Sequence, residues 1–213
     1  MNVLELFSGT GSVGKLCDKL GWSSYSVDLN SEADFKGDIM DFDYKKFPKD
    51  YFGIVWASPP CTNYSKLQGC WYGRMRKGKI YTKEIQEEEM KEDDKLVLRT
   101  LEIIDYFKPD YWFIENPATS KMKDRIFMKD LNNYVVDYCM YSDWGYRKRT
   151  RIWTNKKNFE PKLCKKKCGN MIGNLHKSNL GNTERIKKVN NTIPDLHLRY
   201  RIPEKLILDL FLE

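Results

Sequence analysis

A chain of 213 residues with 41% hydrophobic residues can bury one sizeable core and is too apolar to remain disordered. No apolar run approaches the roughly 20 residues of a membrane span. Met1 leads straight into an apolar strand pattern instead of a secretory leader, so the six cysteines (17, 61, 70, 139, 164, 168) are expected as thiols in an intracellular, non-secreted protein of cytoplasm or nucleus.

The net charge of +7 is unevenly spread. Residues 1–153 carry 24 Lys and Arg against 24 Asp and Glu, whereas residues 154–213 carry 13 against 6. The basic end reads equally as a polyanion-binding lobe and as a Lys-rich solvated face.

In chain order, strands are expected at 2–6, 24–28, 53–57, 110–115, 134–140 and 149–154, each rich in β-branched or aromatic residues. Helices are expected at 12–21, 84–107 and 119–131. In the second, Leu96, Leu98, Leu101, Ile104 and Phe107 recur at three- and four-residue spacing, so it is expected to cover a sheet. The alternation predicts an α/β fold with helices on both sheet faces. Residues 1–154 form the first domain, and the polar, weakly periodic 155–201 a small irregular lobe. Residues 202–213 form a closing amphipathic helix from about Pro203 to Leu212.

Leu6-Phe7-Ser8-Gly9-Thr10-Gly11-Ser12 reads as strand, glycine turn and helix, a turn that lets backbone approach a ligand at a strand's carboxyl end. A nicotinamide dinucleotide fits such a turn equally well. Asp28 ends the next strand and is placed to accept hydrogen bonds from ribose hydroxyls. Asp38 follows a third strand-like segment and is placed to face an adenine amino group; each aspartate could otherwise be an ordinary turn or helix cap.

Ser58-Pro59-Pro60-Cys61-Thr62-Asn63-Tyr64-Ser65 follows the apolar strand at 53–57. Its two prolines stiffen a turn that presents Cys61 at the same edge as the glycine turn. Glu115 ends another strand in Glu115-Asn116-Pro117, and Arg147, Arg149 and Arg151 alternate into the last one, sharing a face.

As an ordered set, Leu-Phe-Ser-Gly-Thr-Gly-Ser, Ser-Pro-Pro-Cys, Glu-Asn-Pro and Arg-Thr-Arg resemble the cytosine carbon-5 DNA methyltransferase family over roughly residues 1–155, in a short viral or phage-like form. The resemblance implies a Rossmann-like sheet that takes S-adenosylmethionine. Phe7, Ser8, Gly9, Thr10, Gly11, Asp28, Asp38 and Pro60 are then the cofactor-binding residues. Cys61 is the nucleophile at cytosine carbon-6, Glu115 the carboxylate on the ring, and Arg149 and Arg151 the arginine pair near the base. Because carbon-5 is unreactive until a thiolate adds to the ring, and the ring is inaccessible inside a duplex, a flipped-out or single-stranded base is implied.

The chain departs from that family in three places. Arg147 stands where Gln is usual, after a loop one residue shorter. Pro117 replaces a valine. The late Gly-Asn turn that closes the cofactor pocket is not apparent, and only Ile202-Pro203-Glu204-Lys205-Leu206 resembles the helix that follows it. The last departure implies weak cofactor binding, or a protein partner or second copy that completes the pocket.

Nucleic acid is the expected partner, DNA ahead of RNA, and no membrane. Its contacts are expected from Ser65, from Arg74 and Arg76 in the Gly- and Lys-rich segment 66–83, and from Lys165, Lys166 and Lys167 in the lobe. Cys164, Cys168 and His176 could supply three zinc ligands at a spacing looser than a standard finger, with Cys139 or His197 as fourth; two free thiols and a surface histidine are the favoured alternative. A silent nucleic-acid-binding protein that keeps the fold is the competing functional class, and the intact Cys61, Glu115 and Arg149 argue against it.

Overall fold

Short apolar runs between turn residues become strands, and the computed structural model describes residues 1–179, 191–192 and 196–212. In chain order the strands are β1 (Asn2–Leu6), β2 (Ser23–Asp28), β3 (Phe35–Lys36), β4 (Ile54–Ala57), the two arms of a small hairpin β5 (Met75–Arg76) and β6 (Lys79–Ile80), β7 (Tyr111–Pro117), β8 (Asn133–Asp137) and β9 (Arg149–Thr154). Seven of them form one sheet in the order β3-β2-β1-β4-β7-β9-β8. The first five in that order run parallel, while β9 runs antiparallel to β7 and β8. The all-parallel dinucleotide-binding order has no such reversed strand, which removes the dehydrogenase reading.

Side chains alternate across the sheet, so each strand feeds two apolar layers. On one face Leu4, Leu6, Val55, Ala57 and Ile114 pack with Val97, Ile103, Ile104 and Phe107 of α2 (Lys83–Phe107). On the other, Val3, Ile54, Trp56, Phe113 and Ile152 meet Val13 and Leu16 of α1 (Ser12–Leu20). The chain ends in α3 (Leu196–Tyr200) and α4 (Glu204–Leu212); Leu206, Ile207 and Leu210 of α4 join that second layer. Fully burying an aliphatic side chain contributes about 1.5–3 kcal/mol, so these layers dominate the fold's stability. α2 starts where Thr82 accepts the Ile85 N–H at 3.3 Å, and it stops at Lys108, whose φ of 46° breaks the helix ahead of Pro109.

Two expectations fail. Residues 119–131 form no α-helix, only a 3₁₀ turn at Lys121–Asp124. The backbone there is pulled into tertiary contacts: the Lys121 N–H donates to the Tyr64 carbonyl at 2.8 Å, and Arg125 pairs with Asp94 and with Glu87 (2.7 Å) of α2. Likewise β8 stops at Asp137, and Tyr138–Met140 turn as a 3₁₀ helix.

Beyond β9 the lobe carries a two-residue hairpin, β10 (Met171–Ile172) with β11 (Leu175–His176), and a parallel bridge between β12 (Ser178–Asn179) and β13 (Asn191–Thr192). Among the described residues, no helix is long and apolar enough to cross a membrane.

Candidate active site

Because five parallel strands end on one edge, the loops after β1, β2, β3, β4 and β7 meet around a cleft of about 890 Å³. The loop after β1 turns sharply, with Phe7, Gly9 and Gly11 all at positive φ (57°, 49° and 63°). Glycine takes that conformation freely; Phe7 does not, and its left-handed backbone is a local strain held by the surrounding fold. Gly11 caps α1 without a side chain, so the helix's first N–H groups find their acceptor elsewhere. Glu5 supplies it from β1, its two oxygens accepting from Val13 (3.1 Å) and Gly14 (2.9 Å).

Phe7, Ser8, Gly9, Thr10, Asp28, Asp38 and Pro60 line the cleft, whereas Gly11 does not. Asp28 shapes the loop around itself, accepting from Gly9 (2.9 Å), Asn30 (2.9 Å) and Ser31 (2.7 Å). Burial alone would raise its carboxyl, but the N–H groups of Ser31, Gly9 and Asn30 outweigh it and hold Asp28 below the usual carboxylate range. Asp38 accepts from the Met40 N–H at 2.9 Å. The buried Ser8 hydroxyl has no hydrogen-bond partner among the described residues. An unsatisfied hydroxyl beside a fixed carboxylate and bent backbone suits a polar, hydroxyl-bearing cofactor, as S-adenosylmethionine is.

Cys61 and Glu115 come from adjacent parallel strands and line the same cleft. Asn116 ties their loops together, donating to the Pro59 carbonyl at 2.9 Å. Burial, and then the negative charge of Glu115, push the Cys61 thiol above its ordinary value, while Lys148 pulls it back. Glu115 is 6% exposed; its Oε1 accepts from the Tyr138 hydroxyl at 3.0 Å and lies 3.4 Å from Lys148 Nζ.

Since β9 is reversed, its beginning lies at the carboxyl edge. Arg149 therefore reaches the cleft, held by a two-pronged pair to the fully buried Asp137 at 2.9 and 2.8 Å. Arg151 is two residues deeper, opposite Asn116 in register. Its side chain bonds Asn133 and lies over the Trp153 ring, outside the cleft lining, where burial lowers its basicity. Arg147 does line the cleft.

Ser65 does not line the cleft either; its hydroxyl caps the 3₁₀ helix Lys66–Trp71, accepting from Leu67 at 3.2 Å. In the segment 66–83, Arg74 is exposed, but Arg76 pairs with Glu89 of α2 at 3.1 Å and covers the Tyr81 ring at 4.4 Å. Lys165, Lys166 and Lys167 are exposed in the turn between Cys164 and Cys168. Those two cysteines, His176 and Cys139 gather at one point, their ligand atoms all within 4.8 Å of one another. The side chain of His197 lies outside the described residues.

Sequence reasoning missed Lys148, Asn116, Tyr138 and Asp137. The first two sit inside recognised motifs; the last two carry no local signal. It also missed Arg199, Tyr200 and Ile202, which line the cleft, with the Ile202 N–H donating to Ser12 at 3.1 Å. The chain's own C-terminal segment thus supplies a wall of the cleft.

The reversed strand beside five parallel ones, with glycine loop and acidic strand ends on one edge, defines the Rossmann-like fold of S-adenosylmethionine-dependent methyltransferases. A crystal structure of an Escherichia coli prophage protein, provisionally named a DNA modification methyltransferase, matches it with a TM-score of 0.52 at 13% identity. The match covers 76% of this chain and 51% of that one, so the chain spans about half the length of this structural neighbour. No family model matches the sequence. A probable DNA (cytosine-5)-methyltransferase of Frog virus 3 (isolate Goorha) is 40% identical over 228 residues, 99% of this chain and 98% of the relative. The chain belongs to the DNA (cytosine-5) methyltransferase family.

Proposed function

We propose that this protein methylates carbon-5 of cytosine in DNA, taking the methyl group from S-adenosylmethionine and using Cys61 as a covalent nucleophile on a base outside the helical stack. The observation that carries the reading is one cleft lined by Cys61, Glu115 and Arg149 together with the strained glycine loop and Asp28.

S-adenosylmethionine supplies an electrophilic methyl group, and Phe7 to Thr10, Asp28 and Asp38 are the residues that would hold it. Cys61 loses its proton and its sulfur adds to carbon-6, moving the ring's double-bond electrons toward carbon-5. Lys148, close enough to lower the thiol's proton affinity, favours the thiolate. Glu115, oriented by Tyr138 and Lys148, stabilises charge developing on the ring, and Arg149, from the neighbouring strand β9, fixes the base. Carbon-5 would take the methyl group, leaving S-adenosylhomocysteine, and loss of the carbon-5 proton to solvent would then re-form the ring double bond, break the sulfur–carbon bond and free Cys61. Cys139, Cys164, Cys168 and His176, outside the cleft lining, are candidate ligands of a structural zinc.

The test is to incubate the protein and S-adenosylmethionine with DNA carrying 5-fluorocytosine. Fluorine blocks the final elimination, so a stable adduct at Cys61 is expected, and Cys61→Ser should form none while still binding cofactor. Adduct formation on RNA alone would move the substrate; none on either polymer, in protein that binds cofactor, would remove the reading.

A further inference from the structure

The cysteine and histidine cluster lies apart from the cleft, on the far side of Asp137. Its ligands come from three chain segments: Cys139 from the turn after β8, Cys164 and Cys168 from either end of a tight turn, and His176 from β11. The three cysteines are buried at 3%, 6% and 9% exposure. Buried thiols often serve as small hydrophobes. That role does not bring an imidazole nitrogen 3.6 Å from Cys164 Sγ and 3.4 Å from Cys168 Sγ, with the two sulfurs themselves 3.6 Å apart. A tetrahedral zinc with Zn–S near 2.3 Å and Zn–N near 2.0–2.1 Å has edges of about 3.8 Å between sulfurs and about 3.6 Å from sulfur to nitrogen. The three edges among Cys164, Cys168 and His176 are already close to those values, and the Cys139 sulfur lies within 4.8 Å of all three.

We propose that Cys139, Cys164, Cys168 and His176 bind one zinc ion in a four-coordinate Cys3His site that fastens the C-terminal lobe to the catalytic sheet. Three thiolates and one imidazole filling four positions leave no open coordination site, the mark of a structural centre, and soft sulfur donors select zinc over oxygen-loving cations. The surroundings are built to match. Asn170, 3% exposed, donates to the carbonyls of Cys139 (2.9 Å) and Ser142 (2.7 Å) and accepts from the Gly145 N–H (2.9 Å), locking the ligand-bearing turn to the lobe. The site carries a formal charge of −1 beside Lys165, Lys166 and Lys167.

A second contact links this metal to the cleft. The same Asp137 carboxylate that holds Arg149 accepts the Cys164 N–H at 2.8 Å. Ordering Cys164 therefore orders Asp137, and with it the position of Arg149, a second-layer arrangement of the kind that tunes metal sites elsewhere. This link to the base rests on the methyltransferase reading; the metal does not.

Metal content of the purified full chain tests the proposal directly. About one zinc per chain is expected by mass spectrometry, released in step when a mercurial reagent titrates the thiols. Cys139→Ser and Cys168→Ser should lose most of it, while Cys70→Ser, exposed and outside the cluster, should keep it. Should the two ligand variants fail to fold, cobalt substitution of the unaltered chain decides, through the visible bands of a tetrahedral cobalt–thiolate centre. Unaltered protein without zinc that takes up no cobalt overturns the site, as does an iron–sulfur spectrum. Because fluorocytosine trapping at Cys61 is read separately, loss of the metal proposal and loss of the catalytic one are distinguishable.

Discussion

The sheet half and the lobe are held together by different means. In residues 1–154 every central strand is buried on both faces between apolar layers, and β4 is buried at all four positions. In residues 155–179 Phe159, Cys164 and Cys168 are the buried apolar side chains among the described residues, and the remaining anchors are polar. Lys156, 6% exposed, donates to the Leu210 carbonyl at 2.9 Å, and Lys162 pairs with Asp209 at 2.6 Å. The sheet can determine its own geometry by burial, and so it carries the reacting groups. The lobe lacks the apolar area to do this, and its position depends on individual cross-links to α4 and to the turn after β8.

If the chemistry belongs to the sheet half, the largest effect short of removing Cys61 comes from Glu115. Glu115→Gln keeps shape and the Tyr138 contact but removes the charge, and should slow methyl transfer by roughly 10²-fold or more with DNA and cofactor binding nearly intact. Single-turnover rates alongside binding isotherms measure this. An unchanged rate would assign Glu115 to structure and leave the cleft without its ring-stabilising carboxylate.

Burial as the sheet's ruling force has its own test in Glu5. This carboxyl is 2% exposed, and burial pushes it up to about 7 against the lowering effect of the Gly14 and Val13 N–H groups. A carboxyl raised in the folded state binds its proton more tightly there than in the unfolded chain. Its contribution is full below the unfolded value near 4.5 and is lost as pH rises through about 7. Stability should fall by on the order of 3 kcal/mol between pH 4.5 and pH 8 from this group alone. Denaturant unfolding of the parent and of Glu5→Gln across that window should show the slope flattened in the variant. Parallel curves would mean that the two N–H groups at the start of α1 offset the burial.

The contrast also explains what was legible in the sequence. Each sheet strand is a local apolar run, and Ser58-Pro59-Pro60-Cys61, Glu115-Asn116-Pro117 and the glycine turn each sit at a strand's carboxyl end, so sheet and cleft could be anticipated from short windows. Asp137 and Tyr138 could not, because their partners Arg149 and Glu115 are set by the pairing of β8 with β9 and of β9 with β7. In the 119–131 segment Met122 and Ile126 stand four residues apart, as on one helix face, yet the contacts to Tyr64 and Asp94 override it. Arg151 shares a face with Arg149, as alternation requires, but reversal of β9 carries it away from the edge. Cys139 was one of two candidates for the fourth metal ligand, and only the fold brings it 25 residues along the chain to Cys164.

The smallest expected effect concerns the lobe's charge, which is separable from its anchoring. Lys165, Lys166 and Lys167 are exposed on the turn between two of the proposed metal ligands, and Lys166 holds a left-handed φ of 61°. A rigid turn of three cations reads as a phosphate contact; a solvated face would look the same in a static structure. Salt distinguishes them, because each phosphate neutralised on duplex DNA contributes about −0.9 to the slope of log affinity against log salt. Replacing all three lysines by alanine should flatten that slope by about 1 to 3 if they meet phosphates. S-adenosylmethionine binding should be unchanged, since the cofactor loop lies in the neutral half. Zinc content measured on the same sample guards against an indirect effect through Cys164 and Cys168. An unaltered slope with metal retained would make the lobe a cover over Asp137 and Arg149, and would shift the phosphate contacts to Arg74 and its neighbours in the hairpin of β5 and β6.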